Sequence, residues 1–377
     1  MRLVVACHSY FPAVGGSERL IQALAEELAH RGTDVTVVTR QDPGTSRKEQ
    51  LRGVTVVRLP MVRLGRFYVP RGYGRTLRSL APDVFHLAGN RVWCADFYLP
   101  FAGRYAWPSV MAGFGFYQYE MHRRAWDRWY FENWIPSRLQ HIDRYAALTA
   151  HERDQLLSWG VGASKVEVIP AAVALEEFDA PRRSAAEVRA KWGFKAPNVA
   201  VYAGGFYDNK RVDRLVRSVA ATHGRWALVA IGKDLPGAPH DRASVAHLAS
   251  ETGAEVALRD VLPRPELLDA FSAADAVVLG SSYEGYGILL LEAMAMGRPF
   301  VAFRSGAAPE LAATGSGFCV DTETEFAEAL HRLEDAGTRE STGARGRAAV
   351  REYGVDRLAT RFLNSYEQAA EHRRGRP

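Results

Sequence analysis

The sequence predicts an α/β protein built as two doubly wound, Rossmann-like units. Three features predict it: apolar runs of strand length alternating with helical patterns up to about residue 170, a second such series from about residue 198, and an aperiodic, proline-bracketed stretch between them. The opening reads strand, loop, helix, strand: LVVACHSY, FPAVGGSE, RLIQALAEELAHRG and DVTVVTR. In the helical stretch Leu20, Ile21, Leu24 and Leu28 fall on one face, and Gly32 stands where a helix-ending glycine belongs, which makes a parallel βαβ unit. VTVVRL, DVFHLAG, YAALTA and VEVIP continue the series. The second series runs NVAVYAGG, WALVAIG, EVALRD, DAVVLGS and PFVAF, with helical patterns such as RVDRLVRSVAA and RPELLDAFSAA between the strands. The aperiodic PAAVALEEFDAP, residues 170–181, reads as the linker. The expected division is a first domain over 1–172, a second over 173–355, and a helix within 356–377 that returns to the first.

Composition fits this picture. A chain of 377 residues exceeds one ordinary core, and 47% apolar with 24% charged residues is the balance of a folded globular protein. A net charge of +5 suits anionic ligands, but the arginines are scattered and form no nucleic-acid signature. Cys7, Cys94 and Cys319 are far apart, odd in number and without metal-ligand spacing, so a reducing, cytoplasmic setting is expected and no metal site is. No stretch approaches the roughly 18 apolar residues that span a bilayer, and the short apolar run in MRLVVACHSYF is not expected to act as an export signal.

The chemistry gathers at the strand ends. After AVVLG comes the loop SSYEGYG and then the helix ILLLEAMAM, which places Glu284 before the helix and Glu292 just over one turn inside it. Parallel sheets bind ligands beyond the carboxyl ends of their strands, where helix N-termini offer free amides to phosphate. Gly285 and Gly287, flanking Tyr286, let backbone approach a ligand, and Ile288 and Leu289 contribute first-turn amides. A carboxylate among Leu291 and Ala293 needs a partner, and a ribose diol is one. The other reading is a surface helix whose Glu292 faces solvent. AGGFYDNKR repeats the pattern, offering Gly204, Gly205, Lys210 and Arg211 to a phosphate or to solvent at a helix start. VGGSE places Gly15 and Gly16 between a strand and a helix in the first unit, without the third glycine of a dinucleotide fingerprint or the Lys-Ser/Thr pair of a P-loop.

These stretches resemble the retaining glycosyltransferases of family 4, of the two-Rossmann GT-B fold. The resemblance is carried by PAVGGSERLIQALAEELAHRG, VIPAAV, YAGGFYDNKRVDRLV and above all SSYEGYGILLLEAMAMGRPFVAFRSGAAPE, with its two glutamates and final Glu310. It implies two domains facing across a cleft and a nucleoside diphosphate sugar, UDP- or GDP-linked, as co-substrate, with no cofactor. It also implies Glu284 on the transferred sugar, Glu292 on the ribose, the Ile288 and Leu289 amides and Lys210 on the diphosphate, and Gly16 approaching from the first domain. The chain departs from the family pattern at three sites. Gly205 follows Gly204 where an arginine is usual, with Arg211 or Lys233 as substitutes; Phe114 stands where a histidine is common; and Ala171 and Ala172 replace an Asn-Gly pair.

Family likeness further implies a retaining transfer in which the departing phosphate assists deprotonation of the acceptor. No Asp-x-Asp pair is present to hold a divalent ion. The acceptor is expected on the first domain and its class stays open. RLPMVRLGRFYVPRGYGRTLR has six arginines and no acid, and RRAWDRWYFENWIPSR adds Trp126, Trp129 and Trp134. They suit a phosphorylated or lipid-linked acceptor, a peripheral contact with an anionic membrane, a sugar platform, or ordinary packing with solvated arginines. The alternative function is a catalytically weak nucleotide-sugar-binding subunit.

Overall fold

A computed structural model describes residues 1–13, 15–64, 67–89, 93–113, 133, 135–179 and 182–375. Phe114, Trp126, Trp129 and Trp134 lie outside the described residues. The chain divides into two units: Met1–Ala172 with the chain from Val355 onward, and Val173–Gly354.

The first unit is built on eight strands in one sheet, of which the central ones are apolar and buried on both faces by parallel pairing. The eight are β1 (Arg2–Cys7), β2 (Asp34–Arg40), β3 (Lys48–Leu51), β4 (Val54–Leu59), β7 (Val84–Ala88), β8 (Ser109–Ala112), β9 (Arg144–Ala147) and β10 (Val166–Val168). Their order is β10-β9-β8-β7-β1-β2-β4-β3, parallel except for the β3–β4 pair. Between β4 and β7, β5 (Met61–Leu64) and β6 (Phe67–Pro70) form a separate antiparallel hairpin. The helix Gly16–His30 buries Leu20, Ile21, Leu24 and Leu28, the face its periodicity marks, and Gly32 follows with φ of 86°. The last helix, Val355–Arg374, buries Leu358, Phe362 and Tyr366, and Arg31 reaches its Thr360 hydroxyl at 2.8 Å. Facing it from β7, His86 stacks on Phe362 with ring centroids 4.9 Å apart, and its Nδ1 lies 2.8 Å from the Tyr366 hydroxyl.

The second unit is a single parallel sheet of β11 (Asn198–Ala203), β12 (Trp226–Ile231), β13 (Val256–Arg259), β14 (Ala276–Leu279), β15 (Phe300–Phe303) and β16 (Gly317–Val320). The order β13-β12-β11-β14-β15-β16 reverses direction between β11 and β14. That reversal is the topological switch point of a doubly wound sheet, the place where such sheets gather ligands beyond their strand ends. The two ends of the unit meet: the Val173 amide donates to the Tyr353 carbonyl at 2.9 Å, and Val173 bridges Gly354.

Candidate functional site

The loops that leave β11 and β14 carry the residues singled out in the second unit, and the structure clasps them together. The Ser282 amide donates to the Asn209 carbonyl at 2.9 Å, and Asn209 Nδ2 donates to the Tyr283 carbonyl at 3.3 Å. A Cβ on Gly280 would sit 2.6 Å from the Arg211 carbonyl oxygen, so only glycine allows this approach of the strand end to the turn. A third loop closes over them, where the Ala307 amide donates to the Tyr286 carbonyl at 2.8 Å and Gly306, at φ of 51°, lies against Glu284 and Tyr286.

Inside this clasp Lys210 Nζ donates to Glu284 Oε1 at 2.6 Å, and Ser281 Oγ donates to the same oxygen at 2.6 Å. Glu284 is 8% exposed and Ser281 is fully buried. A carboxylate out of water is tolerable only with such partners, and one oxygen receives both. Burial and the nearby Glu284 charge push the Tyr202 phenol well above its usual range, so it stays neutral and donates to the Gly205 carbonyl at 2.9 Å.

The helix Ile288–Ala295 starts at Gly287, whose φ of 93° is a left-handed conformation that glycine adopts without cost. Gly287 has no side chain to cap this start, and the Ile288 and Leu289 amides belong to a first turn without intrahelical acceptors. Glu292 does not face solvent. Its side chain is 12% exposed, and its Oε1 accepts from Arg264 Nη1 at 2.5 Å. Arg264 also donates to Glu177 at 2.9 Å, so one guanidinium from the helix Arg264–Ala273 bridges two carboxylates.

Gly204 and Gly205 are packed by aromatic side chains: a Cβ on Gly204 would lie 2.4 Å from the Tyr202 hydroxyl, and one on Gly205 2.4 Å from the Tyr207 ring. The ring of Tyr207 thus takes the space an arginine at 205 would need. Gly285 is half-buried, while Tyr286 is a buried ring that supplies a backbone acceptor. Arg211 forks onto Asp213, with Nε to Oδ1 and Nη2 to Oδ2 both at 2.9 Å, so the cation that reaches Glu284 is Lys210. Lys233 is exposed and meets the loop through its carbonyl, which accepts from the Phe206 amide.

In the first unit Gly15 precedes the helix that Gly16 begins, in an extended conformation open to any residue. The Glu18 carboxylate lies back over Gly15, where a Cβ would be 2.2 Å from Glu18 Oε2, and Ser17 Oγ donates to that oxygen at 3.0 Å. This helix start therefore carries an anion of its own. Ser281, Arg264, Glu177 and Asp213 were not singled out by sequence reasoning. Asp213 stands three residues from Lys210 and was within reach of it; the pairing of Arg264 with Glu292 spans 28 positions and left no local signal. Among the described residues no cluster of His, Cys, Asp or Glu is placed to hold a metal, and no helix is long and apolar enough to cross a membrane.

Two Rossmann-like units, one with a cation, a helix's first-turn amides and two largely enclosed carboxylates at its switch point, define a protein shaped for a phosphate-bearing, hydroxyl-rich ligand. Comparison with known proteins is specific: residues 184–349 match the model for "Glycosyl transferases group 1" and residues 14–177 that for "Glycosyltransferase Family 4", and the chain belongs to this glycosyltransferase family. D-inositol 3-phosphate glycosyltransferase of Kribbella flavida is 33% identical over 62% of this chain and 58% of its own length. The chain thus spans less than two thirds of that relative. The GDP-mannose-dependent alpha-(1-6)-phosphatidylinositol dimannoside mannosyltransferase of Mycobacterium tuberculosis is 24% identical over 86% of this chain and 85% of its own. Sucrose-phosphate synthase of Thermosynechococcus elongatus superposes with a TM-score of 0.82 at 20% identity, covering 97% of this chain and 98% of its own, a likeness of GT-B fold.

Proposed function

We propose that the protein moves a sugar from a nucleoside diphosphate sugar to an acceptor hydroxyl with retention of anomeric configuration. The observation that carries this reading is the Lys210–Glu284 pair at the switch point, beside the open amide end of the helix that holds Glu292. A diphosphate matches the cation and the amides, and sugar and ribose hydroxyls match the two carboxylates.

In the reaction the bond between the anomeric carbon and the β-phosphate oxygen breaks, and its electron pair leaves with the diphosphate. The acceptor oxygen bonds to the same face of that carbon, and its proton passes to the departing phosphate oxygen. Lys210 and the Ile288 and Leu289 amides are preorganised for the charge that grows on the leaving group, while Glu284 steadies the sugar. Positive charge from the chain itself makes this a metal-independent arrangement, with the nucleotide sugar as the single co-substrate.

The acceptor side falls to the first unit. The hairpin β5–β6 exposes Val62, Leu64 and Tyr68 at 48%, 68% and 58%, amid a stretch from Gln50 to Pro82 that contains arginines and no acid. That combination supports peripheral contact with an anionic membrane from the cytoplasmic side and a lipid-linked or phosphorylated acceptor.

The test is calorimetry with UDP and GDP, followed by incubation with a panel of UDP- and GDP-sugars and detection of released nucleoside diphosphate. Binding with slow release supports the transferase. Binding without any release, even with acceptors supplied, leaves the nucleotide-sugar-binding subunit; no binding to either nucleotide overturns the reading.

A further inference from the structure

Lys210 leaves the backbone from an unusual turn. It ends the short 3-10 helix Asp208–Lys210, and the next residue, Arg211, is left-handed at φ 47° and ψ 49° before the helix Val212–Ala220 begins. For a residue with a side chain this conformation is unfavourable and persists only where surrounding structure enforces it. The enforcement is visible two residues on. Asp213, 5% exposed, takes both Nε and Nη2 of Arg211 at 2.9 Å in a two-pronged fork that restrains the arginine side chain. Arg217 Nη1 donates to Asp213 Oδ2 at 2.7 Å, and His240 Nδ1 lies 3.4 Å from Oδ1. Burial alone would raise the Asp213 carboxyl, but hydrogen bonds from Arg211 and Arg217 outweigh it and hold the group ionised. On the other side, the Arg211 carbonyl abuts Gly280, and the Asn209 carbonyl is held by the Ser282 amide.

We propose that Asp213 is a positioning residue: by forking Arg211 it holds the left-handed turn that aims the Lys210 ammonium at Glu284 and the leaving phosphate. This rests on the role given to Lys210 above. Asp213 touches no substrate; it acts through the backbone.

The distinction from a merely structural carboxylate lies in which second substitution rescues. Glycine adopts the left-handed conformation with no anchor, whereas alanine loses the fork and keeps the conformational penalty. Asp213→Asn and Arg211→Ala are each expected to lower nucleoside diphosphate release about ten-fold from the UDP- or GDP-sugar that the wild-type chain turns over best. Arg211→Gly should exceed Arg211→Ala several-fold, and Asp213→Asn with Arg211→Gly should recover most of what Asp213→Asn alone loses. Affinity for UDP or GDP, read by calorimetry on the same proteins, should follow the same order.

Equal losses in Arg211→Gly and Arg211→Ala would make the guanidinium a phosphate ligand and overturn the proposal. So would an Asp213→Asn loss that Arg211→Gly leaves unrepaired. The two Arg211 variants keep the question decidable if Asp213→Asn fails to fold. Lys210→Ala, measured in parallel, separates the two levels: full activity there overturns the role of Lys210 itself, while loss there with no ordering among the other variants overturns the role of Asp213 alone.

Discussion

The two units use the same strand–glycine–helix grammar and load it differently. In the second, the loops after β11 and β14 are tied to each other and hold the half-buried Lys210 against the buried Glu284, and a second ion pair, Arg264 with Glu292, joins two helices of the same unit. In the first, the glycines before the helix Gly16–His30 meet one flexible carboxylate, Glu18, on a partly exposed side chain. The difference teaches where commitment lies. Preorganised charge is costly to bury and is kept where chemistry needs it, whereas the helix start of the first unit holds its carboxylate on a half-buried side chain.

The largest expected effect is on the committed side. Lys210→Ala should lower turnover by about 10²-fold or more, the usual consequence of losing one preorganised charge donor, and should also lower the melting temperature, because Glu284 is left buried with Ser281 alone. Near wild-type turnover would move the leaving-group role to another cation. Glu292→Gln should weaken UDP or GDP binding by about 1–3 kcal/mol, because the amide offers the diol a single acceptor and leaves Arg264 to Glu177 alone. Unchanged affinity by calorimetry would take Glu292 out of the nucleotide site.

Acid separates the units by a different mechanism. Burial lowers the His86 imidazole of the first unit from 6.5 to about 3, so the folded state keeps it neutral. Stability from this group is complete above 6.5 and is lost as pH falls from 6.5 towards 3, at roughly 1.4 kcal/mol per pH unit. In the second unit the Asp213 and Asp335 carboxyls are held below the ordinary value of 3.8. For Asp213, hydrogen bonds from Arg211 and Arg217 overcome the opposing burial; for Asp335, hydrogen bonds from Thr338 are the cause. Their contribution is intact above 3.8 and is lost only as pH falls through the lower folded values. Hydrogen exchange between pH 7 and 4.5 should therefore loosen the first unit while the second stays protected, and His86→Gln should flatten that response. Equal loosening of both units would remove His86 as the cause. The smallest effect is at the open loop: Glu18→Gln should cost the first unit about 0.3–1 kcal/mol of helix-end stabilisation. An unchanged melting temperature in this variant would take Glu18 out of that balance.

The parallel strands of both units were legible because buried parallel strands are nearly continuous apolar runs. Pieces that break that rule were not. β8 is only SVMA between a proline and a glycine, β16 opens on Gly317, and β3, β5 and β6 are short antiparallel segments with polar or exposed positions. At the site, the glycine loops and the spacing of Glu284 and Glu292 were local and readable. The partner of Glu292 was not, since Arg264 reaches it from a different helix, and a solvent-facing Glu292 remained open until that pairing was seen. Arg211 read as a cation for phosphate because its left-handed backbone and its fork to Asp213 leave no mark in a list of residues.

The way the chain is threaded through the two units has a consequence for its birth on the ribosome. The second unit is complete in sequence once Gly354 has been made, and its two ends, Val173 and Tyr353, are already stitched together. The first unit, begun earlier, still lacks the helix Val355–Arg374, whose Phe362 and Tyr366 cover His86. Vectorial synthesis ordinarily lets the N-terminal domain close first. Here the order inverts, and the nascent first unit must wait with the surface around β7 uncovered until the helix Val355–Arg374 emerges, which makes that interval the one in which a chaperone has most to hold.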